Sequence, residues 1–493
     1  MSAPTVDRPT SAASDASRRA PSGPVTAATA HEHVAAHMLD DGLGLVLDLA
    51  ASRGSRLVDA RDGSSYLDMF TFFASSALGM NHPDVAEDEA FREELLLSAL
   101  SKPSNSDIVT VERARFVDVF ARVLGVPELP HLFFVEGGGL AVENALKTAF
   151  DWKSRWNEAH GIDPALGTKV LHLRQAFHGR TGYTMSLTNT DPNKVARFPQ
   201  FDWPRIDNPH PVEGEDDAVL RAREDAALAQ ARAAFEQHAH DIACAIVEPI
   251  QGEGGDNHLT PRFLQGLQAL CHEFDALFVC DEVQTGCGLT GTAWAHQQLG
   301  LEPDVVAFGK KTQVCGIMAG RRVDLVPDNV FRVSSRINST WGGGLVDMVR
   351  ARRILEVLER DDLVGHAARA GEHLLAGLRD LAARHPEVTD VRGRGLMCAF
   401  DLPDGERRGA LLAHLETHEH VLALGCGSRS VRFRPALTVT TDELDEALAA
   451  VDRALSALAG AAAGDTAMAG AAAGAAVGAP APGGPAPVAG EGS

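Results

Sequence analysis

Two residues in the middle of the chain have side chains suited to holding a reactive aromatic cofactor. Asp281 follows the apolar run 276–280, and Lys310 follows the apolar run 305–308 and a glycine. Such runs are typical of buried strands in a parallel sheet, and ligands bind beyond the carboxyl ends of those strands. A carboxylate and a lysine at one sheet edge suit pyridoxal phosphate, which needs a lysine for its Schiff base and a carboxylate beside its pyridinium nitrogen.

Both residues also have structural alternatives. Asp281 could cap a helix or join a salt bridge, and most lysines are simply solvated. The adjacent Lys311 leaves open which lysine carries the chemistry. A free lysine has a pKa of about 10.4, so a nucleophilic one must be desolvated or lie near another cation.

Further candidates lie in loops and strands elsewhere. The turn Gly137-Gly138-Gly139 joins a strand to a helix and can bind a phosphate through backbone amides, although simple chain reversal or a dinucleotide-binding turn is the alternative. Phe177 can stack on a flat ring or belong to the core. Arg180 has a planar fork that suits a carboxylate, as does Arg432 with its same-face neighbour Arg434, unless those two solvate an edge strand.

Composition limits the classes of partner. The 493 residues include 45 Lys+Arg and 67 Asp+Glu, a net charge of −22, which argues against nucleic acid or an anionic membrane as the main partner. The 7 cysteines have no Cys-x-x-Cys spacing and lie mostly in apolar runs. We therefore expect reduced cysteines in a cytoplasmic protein and no metal site.

Helical and strand patterns alternate between two low-complexity ends, which predicts a mainly parallel sheet wrapped by helices. We predict a disordered N-terminal tail (1–30), a segment that packs with the small domain (31–95), a large domain (96–360) and a small C-terminal α+β domain (361–458). Residues 459–493 are rich in Ala, Gly and Pro and are predicted to form a second disordered tail.

Several motifs together resemble class III aminotransferases, which are pyridoxal-phosphate enzymes of fold type I. The resemblance spans about His31 to Leu458 and is carried by Asp62-Gly63-Ser64-Ser65-Tyr66-Leu67-Asp68, Phe177-His178-Gly179-Arg180-Thr181, Val247-Glu248-Pro249-Ile250-Gln251-Gly252-Glu253-Gly254-Gly255, Asp281-Glu282-Val283-Gln284-Thr285-Gly286 and Pro303-Asp304-Val305-Val306-Ala307-Phe308-Gly309-Lys310. It implies a large domain with a seven-stranded sheet and a smaller α+β domain.

The resemblance also implies a role for individual residues. Lys310 would form the Schiff base and Asp281 would pair with the pyridinium nitrogen. The other cofactor contacts would be Gln284 at the ring hydroxyl, Phe177 and Val283 on the ring faces, and Gly138 and Gly139 at the phosphate, with Thr340 from a second copy of the chain. A site completed in this way implies a homodimer.

Departures from the common family pattern resemble one branch, the L-lysine 6-aminotransferases. They are Glu136-Gly137-Gly138-Gly139-Leu140, Lys311-Thr312-Gln313-Val314-Cys315-Gly316 and Ile337-Asn338-Ser339-Thr340-Trp341-Gly342-Gly343. This branch implies transfer of the ε-amino group of L-lysine to 2-oxoglutarate, giving 2-aminoadipate 6-semialdehyde and glutamate. Arg180 would bind the α-carboxylate of lysine and Arg432 that of glutamate. Glu253 would cover Arg432 while lysine is bound, and Asn338 would contact substrate.

Other functions remain open from the sequence. An ornithine or 4-aminobutyrate aminotransferase, or an aminomutase, would share the same cofactor residues. An NAD-linked dehydrogenase is disfavoured because the glycine turn lacks the third glycine of the dinucleotide fingerprint. A catalytically silent scaffold of the same fold would have no need of the Asp281 and Lys310 pair.

Overall fold

The centre of the molecule is a seven-stranded sheet. This computed structural model describes residues 23–475, so residues 1–22 and 476–493 of the two predicted tails lie outside the described residues. From one edge to the other, the strands are His131–Val135, Cys315–Ala319, Val305–Phe308, Leu277–Asp281, Ile242–Val247, Lys169–Leu173 and Arg205–Ile206. Only Cys315–Ala319 runs antiparallel to its neighbours. The predicted mainly parallel sheet is therefore confirmed.

The central strands are apolar because helices cover both of their faces. Every residue of Ile242–Val247 and of Val305–Phe308 is buried. Val135 and Ala307 pack with the helix Gly138–Ala159 on one face. On the other face, Phe134 and Phe308 form an aromatic cluster with Phe116 and Phe120. Alternation along a strand sends successive side chains to opposite faces, which explains both layers.

The helices have ordinary start signals where the sequence provides them. The helix Pro261–Glu273 begins after Thr260, whose side chain accepts a hydrogen bond from the amide of Phe263, and it has proline at its first position. The remaining long helices are Glu89–Leu100, Val111–Val123, Asp217–Gln237, Leu345–Arg360, Leu363–Arg384, Gly405–His414 and Thr441–Ala475. Among the described helices, none combines the length and the apolar character needed to cross a bilayer.

The last helix differs from the sequence prediction. It extends from Thr441 to Ala475, past the predicted end of the small domain at residue 458 and into the segment 459–493 that we expected to be disordered. Alanine has the highest helix propensity, and the first proline of this segment is Pro480. Composition alone therefore did not locate the helix end.

Smaller sheets connect the two ends of the chain. Arg56–Val58 and Ser65–Asp68 form a sheet with Val421–Leu422, so the N-terminal segment contacts the C-terminal part of the chain. A four-stranded sheet has the order Thr389–Arg394, Met397–Asp401, Ser430–Phe433 and Leu424–Cys426, and Ile250–Gln251 pairs with Asn257–His258. The division of the chain at residues 95, 360 and 458 stays a prediction.

A left-handed turn follows the N-terminal strand. The four residues of Thr71–Ala74 have φ angles of 42, 52, 59 and 68°. This conformation costs residues other than glycine about 1–2 kcal/mol each. The turn is held by Asp68, whose Oδ1 accepts hydrogen bonds from the amides of Phe70 (3.0 Å) and Thr71 (2.7 Å). The Thr71 hydroxyl also donates to the carbonyl oxygen of Arg434 at 2.6 Å.

Candidate active site

The site is built at the carboxyl ends of the sheet strands. Asp281 ends the strand Leu277–Asp281 and is 5% exposed. Its Oδ1 accepts a hydrogen bond from the amide of Val283 at 3.1 Å, and its Oδ2 lies 2.8 Å from Nδ1 of His178. Burial lowers the pKa of His178, but the hydrogen bond and the charge of Asp281 outweigh burial and raise it. Asp281 and His178 therefore form a buried hydrogen-bonded pair at the sheet edge.

Lys310 and Lys311 lie in the turn Lys310–Thr312 directly after the next strand. Both lysines lie near the left-handed turn: Lys310 Nζ donates to the carbonyl oxygen of Phe73, and Lys311 Nζ donates to that of Ala74 at 3.0 Å. Burial, with the positive charges of Arg432 and Arg434, lowers the pKa of Lys310 to about 8. Lys310 therefore meets the requirement for a nucleophilic amine near neutral pH.

The two lysines occupy different environments. Lys310 lines the cavity at the sheet edge, whereas Lys311 is 2% exposed and does not line it. Burial is the main cause that lowers the pKa of Lys311, to about 7. The structure thus separates the two adjacent lysines, which the sequence left equivalent, and places Lys310 with Asp281.

A cavity of about 640 Å³ opens between these groups. Gly138 and Gly139 begin the helix Gly138–Ala159 and line the cavity with Phe177 and Val283. A Cβ atom on Gly138 would lie 2.9 Å from Cγ1 of Val283, so this backbone approach requires glycine. The helix N-terminus here presents amides that suit a phosphate.

Buried arginines close another side of the cavity. Arg432 lies on the strand Ser430–Phe433, which is an interior strand, and is only 2% exposed. The edge-strand alternative is therefore excluded. Gln284 Oε1 accepts hydrogen bonds from Arg432 Nη1 at 3.2 Å and from Arg434 Nη2 at 3.0 Å. Because its oxygen is used in this way, the amide NH₂ of Gln284 is the group available to a cofactor oxygen.

Glu253 forms an ion pair with Arg432. Glu253 Oε2 lies 3.3 Å from Arg432 Nη2, and both residues line the cavity. The Nε atom of Arg432 is buried without a hydrogen-bond partner. Arg434, by contrast, is fully buried and paired with buried Asp256. Of Arg432 and Arg434, Arg432 is therefore the one that can bind an entering carboxylate.

The remaining predicted site residues fall into two groups. Arg180 is exposed and lines the cavity, as its predicted role requires. Asn338 and Thr340 are exposed and do not line it; the carbonyl oxygen of Thr340 accepts a hydrogen bond from Ser104 at 2.7 Å. A single chain does not bring these two residues to the site, and their roles stay predictions.

Sequence reasoning missed several residues of the cavity. Glu248 directly follows the strand Ile242–Val247, and burial raises its pKa to about 7. Its carboxylate accepts hydrogen bonds from the amides of Phe177 (2.9 Å) and Gly252 (3.1 Å). Its place after an apolar run was a usable signal, the same one that identified Asp281. Phe72, Phe73 and Lys194 also line the cavity, but they lie outside the motifs that carry the resemblance.

The residues present fit pyridoxal phosphate. Asp281 is buried and lines the cavity together with Lys310, Gly138 and Gly139 leave backbone amides open at a helix start, and Phe177 and Val283 also line this space. Each of these features matches one part of the cofactor: its ring nitrogen, its phosphate, its aldehyde carbon and its flat ring.

Comparisons with known proteins agree with this geometry. The family model described as "Aminotransferase class-III" matches residues 41–455. The L-lysine-epsilon aminotransferase of Mycobacterium tuberculosis is 64% identical over 433 residues (88% of this chain, 96% of that protein), and that of Streptomyces clavuligerus is 58% identical over 442 residues (89% and 96%).

A solved structure is similar over the same range. The lysine aminotransferase from M. tuberculosis in the internal aldimine form has a TM-score of 0.87 and 63% identity, with 88% of this chain and 100% of that chain covered. This similarity confirms the predicted fold type I and excludes the dehydrogenase alternative. The chain belongs to the class III aminotransferase family.

Proposed function

We propose that the chain transfers the ε-amino group of L-lysine to 2-oxoglutarate with pyridoxal 5′-phosphate as cofactor. The products are 2-aminoadipate 6-semialdehyde, which cyclises to piperideine-6-carboxylate, and glutamate. The observation that carries the proposal is the Glu253–Arg432 ion pair inside the cavity of Lys310 and Asp281. The high identity to L-lysine-epsilon aminotransferases supports the same substrate.

The Glu253–Arg432 ion pair allows one site to bind two chemically different substrates. Lysine presents an apolar stem with a terminal amine, whereas 2-oxoglutarate presents a carboxylate next to its reacting carbon. An unpaired buried guanidinium beside an apolar stem is strongly unfavourable. Glu253 neutralises Arg432 while lysine is bound, and it must leave when the carboxylate of 2-oxoglutarate takes its place.

Arg180 supplies the second recognition point. It binds the α-carboxylate of lysine, so that the six-carbon chain brings the ε-amine, rather than the α-amine, to Lys310. The same arginine binds the distal carboxylate of 2-oxoglutarate. Arg180 lines the cavity, which supports both roles. Arg180 is thus always available to a carboxylate, whereas Arg432 is available only when Glu253 has left it. Substrate choice depends on the distance between these two arginines.

The chain itself has two chemical tasks. When bound, the cofactor withdraws electrons from the carbon that bears the amino group, which makes its proton removable. The Asp281 carboxylate would hold the ring nitrogen of the bound cofactor protonated, and His178 positions that carboxylate through its hydrogen bond. The Lys310 amine, with its lowered pKa, moves the proton through its Nζ atom.

Assembly and location form part of the proposal. The active form is a homodimer in which Thr340 and Asn338 of one copy complete the site of the other. Their exposed positions away from their own cavity support this arrangement. The seven free cysteines support a reducing cytoplasmic location.

A single-turnover titration tests the function. The purified, cofactor-loaded protein is mixed with lysine, ornithine or 4-aminobutyrate, and the absorbance of the bound cofactor is followed. We expect lysine to discharge it at the lowest concentration and mass spectrometry to find piperideine-6-carboxylate. A preference for ornithine or 4-aminobutyrate would contradict lysine as the amino donor but would leave the family assignment unchanged.

A further inference from the structure

Glu253 has a second cationic partner at the edge of the cavity. Its Oε1 forms an ion pair with Lys194 Nζ, while its Oε2 forms one with Arg432 Nη2. One carboxylate therefore bridges two cations. Lys194 lies at the end of the turn Pro192–Lys194, which Asp191 caps, and its Nζ lies 5.5 Å from the centre of the Phe177 ring.

The two cations are not equivalent. The side chain of Arg432 is 3% exposed, whereas that of Lys194 is 24% exposed. Arg432 therefore requires an anion at all times, whereas water can also solvate the ammonium group of Lys194. An entering dicarboxylate supplies that anion and repels Glu253, which needs a cation outside Arg432.

We propose that Lys194 is the resting partner of Glu253 and sets the balance between the two substrates. When a carboxylate binds Arg432, Glu253 releases Oε2 and keeps Oε1 on Lys194. The movement breaks one contact instead of two, because Lys194 already holds the other oxygen. Lys194 is thus a positioning residue that favours dicarboxylate binding. This inference rests on the proposed function.

The test uses glutarate, a dicarboxylate that lacks a reacting carbonyl. Its binding to the cofactor-loaded enzyme is followed by the change in cofactor absorbance, and both half-reactions are measured separately. We expect Lys194→Met to weaken glutarate binding about tenfold and to raise KM for 2-oxoglutarate much more than KM for lysine. Lys194→Arg should restore glutarate binding.

A control lysine is available outside the cavity. Lys169 is 25% exposed and lies 3.8 Å from Asp241, a matched ion pair that does not line the site. Lys169→Met should leave glutarate binding as in the wild type. Unchanged glutarate binding in Lys194→Met, or equal losses for lysine and glutarate, would overturn the proposal.

A double variant shows whether Lys194 acts through Glu253. If it does, Lys194→Met should have no further effect on glutarate binding in a Glu253→Gln background. A persisting tenfold loss would mean that Lys194 binds the dicarboxylate itself, which would overturn the proposal. Failure of the proposed function appears differently: lysine would not discharge the cofactor, while the glutarate measurements would still be readable.

Discussion

The Nζ atom of Lys310 lies 2.9 Å from the carbonyl oxygen of Phe73. This contact joins the catalytic edge of the sheet to a left-handed turn 237 residues earlier in the chain. To engage the cofactor, the amine must release that carbonyl oxygen. The neighbouring contacts of Lys311 with Ala74 (3.0 Å) and of Gln313 with Ser75 (2.8 Å) do not involve the cofactor amine and can persist.

Replacing each lysine in turn should separate their roles. Lys310→Ala should abolish the visible absorbance of covalently held cofactor, because Lys194, the other lysine that lines the cavity, is paired with Glu253. Lys311→Ala should retain that absorbance, since Lys311 does not line the cavity. Spectra of both purified proteins check this, and the reverse result would show that the second lysine of the pair is the reactive one.

The buried ammonium of Lys311 should make stability depend on pH. Its pKa is about 7 in the fold against 10.5 for an ordinary lysine, so between these values the unfolded chain binds more protons. The wild type therefore gains stability as pH rises, by up to about 1.4 kcal/mol per pH unit from this group. Lys311→Met lacks this gain. The free energy of unfolding of the variant should therefore compare most favourably with that of the wild type at or below pH 7.

Denaturant unfolding of both proteins at pH 7 and pH 9 measures this effect. Loss of the hydrogen bond to Ala74 costs the variant the same amount at both pH values, so only the difference between them matters. Lys102, whose side chain is 49% exposed, is the control for removing a lysine charge. If Lys311→Met changed the free energy of unfolding by the same amount at pH 7 and pH 9, the prediction would be contradicted.

His178→Phe should slow the lysine half-reaction about 10- to 100-fold. A hydrogen bond to a charged group contributes about 1.5–3 kcal/mol, and Asp281 would lose its partner at 2.8 Å. The pKa of His178 is raised in the fold, so its contribution to stability is complete below about pH 6.5 and is lost as pH rises through the raised value. Stopped-flow absorbance and unfolding at pH 6 and pH 9 check both effects.

A matched histidine serves as the control for this variant. His296 is also buried, and its Nδ1 lies 2.9 Å from Glu282, outside the cavity. His296→Phe should reduce stability without the same loss of single-turnover rate in the protein that remains folded. Equal rate losses in both variants would mean that His178 acts only on the fold.

Gly138→Ala should weaken cofactor binding about tenfold. The added Cβ would lie 2.9 Å from Cγ1 of Val283 and would push back one wall of the ring site. Titration of the apoprotein with pyridoxal phosphate measures the dissociation constant. Gly44→Ala is the control, because its Cβ meets no atom within 4 Å. Wild-type affinity in Gly138→Ala would show that Val283 does not limit the space for the ring.

The sheet and its catalytic edge could be predicted because they depend on local patterns. Apolar runs marked the strands before Asp281 and Lys310, and strand order then brought the two residues together. Arg432 was identified as a candidate, but its burial and its partner Glu253 are tertiary facts. Alternation alone could not distinguish an interior strand from an edge strand.

Other parts of the site have no local signal. Phe73 reaches the cavity only because the preceding residues adopt positive φ angles, and nothing in Thr71-Phe72-Phe73-Ala74 indicates such a conformation. Lys194 lies in a short turn, and its partner Glu253 is 59 residues further along the chain. The predicted roles of Asn338 and Thr340 involve a second chain, whose approach no local pattern indicates.

The left-handed turn has a consequence for altering the enzyme. Phe72 and Phe73 form part of the cavity wall, but they belong to a short surface-accessible stretch outside the central sheet. The amine that the enzyme accepts could therefore be changed by substituting the side chains of Phe72 and Phe73, while the carbonyl oxygen of residue 73 still accepts from Lys310. New specificity would then come from two accessible side chains rather than from rebuilding the reaction centre.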